Sequence, residues 1–566
     1  MRFSSPVFGK LRRFPASVPA AILLAGWLAC GSPAYPQSNE ASEKESNPGP
    51  YTIDALPVPE VVRGQVTSID FTPDGDTLLL ARDGRIWIRE KGADTDWKPW
   101  SVHGLEGASG LFAGYFPKSV YVVHATGITR LFDTTEDGTA DFVKSVIPAW
   151  RFGTLGELFR GSPAVLPEGD LLLSPNVRTG AWSGLVMRVP EATGVSPWMT
   201  GFARISAPAF GPDGGWVLAG VPKSAEPKQE DTKSESPPGT ELPAAIWMLA
   251  PEVEEPETAE TAETEETESE SGSGSEPAEK PKKDDESETP APPEETGPIV
   301  AEAPAIYLPK SLMPTAPIRP AFPAFGARGK RFGVFSSQGF VAGENSKRLL
   351  RLMPEWVDGI WQGAVTDFAA IESTDPGIDF LEFSPDGRQL LAGEGGQVLR
   401  IQPAGGAIFA VHSIHLATDG IEIRFTRPID RAKAADLKNW KIKSGRPGSP
   451  PADFGAFSFP ADTRVILDFD GLAVTAQFSP EVLEAGKIYD FDLSAIPSAS
   501  GEPLSHGPVF YTLHRLPKTP VPAPRSPEID ESSDEKPEKE NDAPESESEP
   551  ASEPSSQNSA EIVEED

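Results

Sequence analysis

Short apolar runs alternate with proline- and glycine-containing turns along the chain, and this pattern predicts β-hairpins. Four turns share one signature: Phe71-Thr-Pro-Asp-Gly75, Leu-Pro-Glu-Gly at 166–169, Phe210-Gly-Pro-Asp-Gly214 and Phe383-Ser-Pro-Asp-Gly387. Proline presets φ, the acidic side chain bonds back to the backbone, and glycine accepts a positive φ. Runs such as Leu78-Leu79-Leu80 follow the turns and supply the predicted strands.

The spacing of these turns predicts a repeat fold. Pro167 and Pro212 are 45 residues apart, which is the length of one four-stranded propeller blade. Pro73 precedes Pro167 by 94 residues, and a degenerate repeat at Phe116-Pro117-Lys118 divides that interval into two blades. The alternative interpretation is a set of unrelated hairpins in a β-sandwich.

The interval from Pro212 to Pro385 is 173 residues, too long for two blades. It contains a low-complexity insert and a weak repeat at 326–335. After subtraction of the insert, the sequence predicts an all-β fold with a six-bladed β-propeller over residues 51–405. Radial repetition leaves few sheet edges exposed, so short strands suffice.

The strongly acidic balance, a formal net charge of −35, is confined to two segments. Residues 251–300 carry a net charge of −15 and residues 527–566 a net charge of −14, which leaves about −6 elsewhere. Both segments are poor in apolar residues, so we predict disordered insertions at about 223–242 and 252–302 and a disordered acidic tail over 518–566. The favoured role of these segments is a solubilising linker, and the alternative is an acidic arm that gathers cations or basic partners.

Residues 411–516 predict a second all-β domain. Gly420-Ile-Glu-Ile-Arg-Phe-Thr426 alternates apolar and polar residues, as a half-buried strand does. Several further short strands follow, which is typical of an immunoglobulin-like β-sandwich, here without the paired cysteines of antibody domains.

The first residues predict an exported protein. Lys10, Arg12 and Arg13 precede the apolar run 20–29, so residues 1–34 are predicted to be a signal peptide and residues 35–50 a linker. Cys30, the single cysteine, stands where a bacterial lipobox places its acylated residue, although Trp27 departs from that pattern. The competing cleavage site is Ser32-Pro33-Ala34. The expected location is the periplasm or the outer membrane as a lipoprotein, or outside the cell, with membrane contact only through the signal or a lipid anchor.

One acidic loop has metal-like spacing. In the segment 133–142, the candidate ligands for Ca²⁺ are Asp133, Thr135, Asp137 and Asp141. Gly138 lies where a calcium loop needs a sharp turn, but Lys144 replaces the bidentate glutamate at the end of such a loop. The alternative is an acidic turn whose side chains cap backbone N–H groups.

Several segments recur together in one protein family: 127–142, 305–312, 362–365, 419–428 and 510–517. In them the chain resembles large secreted bacterial propeller proteins described as haem-binding or sorbosone-dehydrogenase-like. The resemblance spans roughly 51–517 and implies the propeller and the trailing sandwich. Members often carry a cytochrome domain with a Cys-x-x-Cys-His motif, which a single cysteine excludes, so no haem is expected.

Two classes of function remain open from the sequence. The first is a binding or scaffolding module for a protein or glycan partner; nucleic acid is not expected because the folded region lacks a basic cluster. The second is a sugar dehydrogenase with pyrroloquinoline quinone (PQQ), a cofactor that the sequence does not favour. That chemistry needs a histidine base, arginines and Ca²⁺. His124 and Arg130 are the candidate channel-facing residues, although a lone histidine is more often a structural hydrogen-bonding group.

Overall fold

The structure, a computed structural model, describes residues 50–518. Within that range it leaves out 94, 102–103, 114–118, 148–160, 167, 176–181, 191–194, 212, 224–241, 251–298, 301–302, 324–330 and 372–376. The predicted signal peptide, Cys30, the degenerate repeat at 116–118 and almost all of the acidic insert and tail therefore lie outside the described residues. No helix in the described ranges has the length and apolar composition needed to cross a membrane.

The fold is all-β, and the described residues form six propeller blades and a β-sandwich. The chain begins with strand β1 (Tyr51–Ala55) and a 3₁₀ turn (Glu60–Val62). Blade 1 contains β2 (Val66–Phe71), β3 (Thr77–Ala81), β4 (Ile86–Arg89) and β5 (Trp97–Ser101). Blade 2 contains β6 (Gly110–Ala113), β7 (Ser119–His124), β8 (Gly127–Phe132) and β9 (Phe142–Ile147). Blade 3 contains β10 (Ala164–Val165), β11 (Leu171–Leu173), β12 (Val186–Val189) and β13 (Ser196–Thr200), with β18 (Ile299–Val300) added in parallel to β13.

The remaining blades take their strands from more distant parts of the chain. Blade 4 contains β14 (Phe202–Ile205), β15 (Ala209–Phe210), β16 (Trp216–Pro222), β17 (Ala244–Leu249) and β19 (Ile306–Leu308), so the acidic insert interrupts it, as the sequence predicts. Blade 5 contains β20 (Gly339–Ala342), β21 (Arg348–Val357) and β22 (Ile360–Ala370). Blade 6 contains β23 (Ile378–Phe383), β24 (Leu390–Glu394) and β25 (Gln397–Pro403), and β1 completes it by pairing with β25, from Tyr51 opposite Pro403 to Ala55 opposite Leu399.

The predicted turns lie between the first two strands of blades 1, 3, 4 and 6. Their glycines, Gly75, Gly169, Gly214 and Gly387, have φ values of 93°, 97°, 85° and 67°. In the first turn the Gly75 N–H donates to the Thr72 carbonyl at 2.8 Å. The hairpin prediction is therefore confirmed at all four positions.

Neighbouring blades pack face to face, which explains why the second strands are apolar on both faces. Leu78 and Leu80 pack against blade 2, whereas Leu79 between them packs against blade 6. Leu171 and Leu173 likewise face blade 2, and Leu172 faces blade 4. Because side chains alternate between the two faces of a strand, each apolar run packs into the interfaces with both neighbouring blades.

The weak repeat at 326–335 does not form the strand that its spacing suggests. Its first part lies outside the described residues, and Gly333–Phe335 forms a 3₁₀ turn. Phe332 and Phe335 are fully buried in the aromatic cluster between blades 5 and 6, and this packing replaces strand pairing.

A segment before that repeat, 316–321, runs antiparallel along the inner side of β20; we call it the inner segment. Bridges join Pro317 to Gly343 and Ala321 to Phe340. Two glycines make this close approach feasible. A Cβ on Gly339 would lie 2.2 Å from the Phe322 ring, and one on Gly343 would lie 2.4 Å from Thr315 Oγ1.

The C-terminal region, 411–516, is a sandwich of two antiparallel sheets. Its strands are β26 (Val411–Ala417), β27 (Gly420–Phe425), β28 (Lys441–Gly445), β29 (Gly455–Ala456), β30 (Arg464–Leu467), β31 (Ala473–Gln477), β32 (Lys487–Asp492) and β33 (Val509–Leu513). It also contains α1 (Arg431–Ala435) and 3₁₀ turns at Leu437–Asn439, Pro451–Asp453 and Pro480–Val482. Asp430 caps α1 by accepting from the Ala432 and Lys433 N–H groups.

The sandwich and the propeller share one sheet. Strand β33 pairs with β22 of blade 5, with Gly363 opposite Thr512 and Val365 opposite Phe510. The resulting seven-stranded sheet runs β20-β21-β22-β33-β32-β28-β29. The sequence predicts two adjoining domains, and the structure adds that the second supplies the outer strand of blade 5.

Candidate functional site

A cavity of about 250 Å³ lies on the propeller axis. Every blade contributes to its wall, and the polar residues in the wall include Arg82, His124, Ser174, Arg204, Glu344 and Glu382. The volume is below the usual range for drug-sized ligands, so the cavity suits a smaller molecule.

Part of the polar wall lies where the second strands of blades 1, 2 and 3 end, at Arg82, His124 and Ser174. Glu344 follows β20 of blade 5, the strand that pairs with the inner segment. Since equivalent strands of a propeller end on the same face, these residues converge although they are far apart in the chain. The same repeat that builds the core therefore assembles the cavity wall.

Arg204 and Glu344 form one ion pair on this wall. Arg204 Nη2 lies 2.8 Å from Glu344 Oε2, and the side chains are 31% and 16% exposed. The pair joins blade 4 to the loop between β20 and β21. It presents N–H donors and a carboxylate acceptor side by side.

Arg319, from the inner segment, forms the second pair. Its Nη1 lies 2.8 Å from Glu382 Oε2 in blade 6, and its Nε donates to the Pro208 carbonyl of blade 4 at 3.0 Å. The Arg319 guanidinium, which belongs to the inner segment beside blade 5, therefore contacts both blade 4 and blade 6. Arg319 and Glu382 both line the cavity.

Asp70 adds a third charge next to the Arg319–Glu382 pair. Its two carboxylate oxygens accept from the Phe71 and Ala113 N–H groups, each at 2.8 Å. Burial, together with the neighbouring Glu382 carboxylate, raises the pKa of Asp70 to about 7. Burial also raises the pKa of Glu382, against the opposing effect of Arg319. Arg319 thus acts on two carboxylates, of which Glu382 contacts it directly, and Asp70 keeps its proton up to near neutral pH.

A second hydrogen-bonding contact joins two blades that are not neighbours in the ring. Ser68 Oγ of blade 1 lies 3.0 Å from Ser162 Oγ at the start of blade 3, a contact that bypasses blade 2. Gly110 permits it, since a Cβ there would lie 2.2 Å from the Gly161 carbonyl oxygen.

His124 lies in the cavity wall at the end of β7. Its Nε2 is 2.8 Å from Thr129 Oγ1 and its Nδ1 is 3.1 Å from Thr126 Oγ1. Burial lowers the pKa of His124, so the ring is neutral at pH 7. A neutral imidazole donates one of these hydrogen bonds and accepts the other.

Arg130 lies away from the cavity, on the third strand of blade 2. It is buried, with its guanidinium carbon 4.8 Å from the centre of the Tyr121 ring and 4.6 Å from that of Phe132. Its Nη2 donates to Ser119 Oγ at 3.0 Å. These contacts hold the outer part of blade 2 together.

The acidic loop after β8 is closed by its own backbone. Asp133 accepts from the Asp137 and Gly138 N–H groups at 3.2 and 2.9 Å, and Asp141 accepts from the Thr134 and Thr135 N–H groups at 2.9 and 3.1 Å. Among the described residues, no group of three or more His, Cys, Asp or Glu side chains is arranged to hold a metal ion. The hydrogen bonds of the loop favour the alternative interpretation, an acidic turn whose side chains cap backbone N–H groups.

We expect Asp133→Ala to destabilise the protein by about 1–3 kcal/mol, because the Asp137 and Gly138 N–H groups lose the buried carboxylate that accepts from them. Urea unfolding should give the same loss in Ca²⁺ and in a chelator. The matched control is Asp137→Ala, which loses only the bond from the Thr139 N–H. A loss that depends on Ca²⁺ would contradict this interpretation of the loop.

Sequence reasoning missed most of the charged residues at the cavity. Arg204, Arg319, Glu344 and Glu382 belong to no motif and come from three different blades. One signal was available, a charged residue directly after a buried apolar run, as at Arg82 and Glu344.

Comparisons with known proteins find similarity among solved structures only. No protein-family model matches the chain, and no curated protein matches it. Solved structures that it resembles include an oxidoreductase of Thermus thermophilus described as a glucose dehydrogenase, with 20% identity, a TM-score of 0.36, and coverage of 62% of this chain and 99% of that one. The PQQ domain of pyranose dehydrogenase from Coprinopsis cinerea matches at 10% identity and a TM-score of 0.36, over 63% and 99% of the two chains. A gluconolactonase of Xanthomonas campestris matches at 10% identity and a TM-score of 0.33, over 60% and 88%. At these values the likeness concerns fold and carries no argument about activity.

Proposed function

We propose that the protein is a binding module that takes a small polyhydroxylated ligand, of monosaccharide size, into the cavity on the propeller axis. The observation that carries this proposal is the pair of arginine–glutamate contacts, Arg204–Glu344 and Arg319–Glu382, in one cavity of about 250 Å³. Each pair offers donors and acceptors side by side.

Sugar hydroxyls both donate and accept, so adjacent hydroxyls match such a pair better than an isolated charge does. Arg204 and Arg319 are neutralised by their glutamates, so these two pairs do not demand a charged ligand. Hydroxyls of Ser162, Ser174 and Ser206 provide further hydrogen-bonding groups on the wall. A free sugar and the terminal unit of a glycan present the same groups.

Calorimetry with a panel of monosaccharides, sugar acids and short glycans tests this proposal. Arg204→Met should weaken binding of the best ligand about tenfold to a hundredfold, as expected for hydrogen bonds from a charged donor. The matched control is Arg188→Met, because Arg188 pairs with Glu168 and Asp170 on a hairpin outside the cavity. Absence of binding across the panel by the parent protein would overturn the proposal.

A quinone-dependent sugar dehydrogenase is the second candidate, and His124 is the observation that favours it. A neutral histidine in the cavity wall has the protonation state that a general base needs. Arg82, which lines the same cavity, forms no ion pair within the described part of the chain and could receive an acid group of the quinone. Dye reduction by the parent protein with PQQ, Ca²⁺ and an aldose, lost in His124→Asn, would favour this candidate over binding alone.

A further inference from the structure

Arg351 is fully buried where the propeller meets the sandwich. It lies in β21 of blade 5 and has 0% of its surface exposed. Its Nη2 donates to the carbonyl of Val411, the first residue of β26, at 2.6 Å, and its Nη1 donates to Gln338 Oε1 at 2.8 Å. The Gln338 amide in turn donates to the His412 carbonyl at 2.7 Å.

The charge on Arg351 has no carboxylate partner among the described residues. Both hydrogen-bond acceptors are neutral, and the guanidinium carbon lies 4.0 Å from the centre of the Phe335 ring. Burial lowers the pKa of Arg351 to about 9, and Tyr51 is the group that acts in the opposite direction. Since a buried charge without a counter-charge is costly, this junction favours an anion.

Two polar atoms at this junction have no protein partner among the described residues. Arg351 Nε and His506 Nε2 are both buried and make no hydrogen bond within that part of the chain. Both side chains lie against Phe335, whose ring centre is 6.4 Å from that of His506. Burial and the nearby Arg351 lower the pKa of His506 to about 4, so its ring is neutral at pH 7 and carries one N–H.

His412, the other buried histidine here, is also neutral. Burial, with contributions from Arg351, His415 and Arg424, lowers its pKa to about 4. The junction therefore contains one cation and no second charge to balance it among these groups.

We propose that Arg351 Nε–H and His506 Nε2–H together bind one small monovalent anion of halide size, chloride in practice, between the propeller and the sandwich. A monoatomic anion satisfies both donors and neutralises the guanidinium, whereas an oxyanion needs more donors and more room. This site is separate from the axial cavity, and it does not depend on the function proposed there.

Chloride should stabilise the parent protein. At constant ionic strength, replacing gluconate by chloride should raise the unfolding midpoint by roughly 1–2 °C per tenfold rise in chloride above its dissociation constant. Arg351→Met should abolish this dependence. The control Arg464→Met, at an exposed position on β30, should retain it.

Crystals of the full chain grown in bromide provide a test that needs no variant. An anomalous peak within hydrogen-bond distance of Arg351 Nε is the expected result. Density without anomalous signal at that position, meaning water only, would overturn the proposal, as would a midpoint equal in chloride and gluconate.

Discussion

A chain that ends at residue 405 is expected to lose its soluble, cooperatively folded state. It keeps every blade strand that lies before residue 405 but lacks β33, the outer strand of blade 5. The backbone edge of β22 is then unpaired, and an open edge between two blades favours aggregation. Side-chain contacts are lost as well, since the Tyr307 N–H donates to Thr512 Oγ1 at 2.9 Å.

The expected loss is large compared with the stability of a typical domain. Phe454, Ile488 and Phe510 are buried in the apolar cluster between blades 4 and 5. Burying three such side chains contributes about 5–9 kcal/mol, against a net stability of roughly 5–15 kcal/mol. Soluble yield and circular dichroism during heating measure the outcome.

A chain that ends at residue 518 is the matched control, because it retains every described strand. It should unfold at the same temperature as the full chain. If the 405-residue chain were soluble and unfolded within a few degrees of this control, the shared sheet would not be required for folding.

Arg319→Met should destabilise the protein by about 1–3 kcal/mol at pH 8, because the partly buried Glu382 loses a hydrogen bond from a charged donor. Glu382 and Asp70 would then lie near each other without the guanidinium that favours their charged forms. Urea unfolding at a series of pH values measures the loss.

The loss should shrink as the pH falls to 5. In the parent, the folded state raises the pKa of Asp70 to about 7 from a usual value of 3.8, so stability falls as pH rises through that window. Removing Arg319 raises the pKa values of Asp70 and Glu382 further, so the stability of the variant falls more steeply as the pH rises. Arg82→Met is the control, since Arg82 is an exposed residue at the same cavity, and it should change stability by no more than about 0.5 kcal/mol. Equal losses for Arg319→Met at pH 5 and pH 8 would contradict the role assigned to the carboxylates.

The blades were predictable because their signals are local. A turn such as 71–75 and the run that follows it encode a hairpin within about ten residues, and the 45-residue spacing then reports the repeat. The 3₁₀ turn at Gly333–Phe335 shows the limit of this reasoning, since burial of two phenylalanines outweighed the spacing.

The cavity and the shared sheet were not predictable in the same way. Arg319 meets Glu382 across 63 residues, and β22 meets β33 across about 150 residues of sequence. Neither partner carries a local pattern that identifies the other. Ring closure brings them together, so their proximity follows from the three-dimensional arrangement of the blades.

Pairing of the first strand with the last blade also sets the order in which the ring can form. Strand β1 can pair only after β25, more than 340 residues later, has been synthesised. Blade 5 can be completed only after β33, near residue 510, has been synthesised. A chain emerging from its N-terminus therefore cannot complete blade 6 before residue 403 is available, or blade 5 before about residue 512 is available. Contacts so distant in sequence slow folding, because the loop must close before any contact stabilises it. The native ring therefore forms late during synthesis of the chain. Before that, the partly formed ring has two incomplete blades, and this is the state most prone to aggregation.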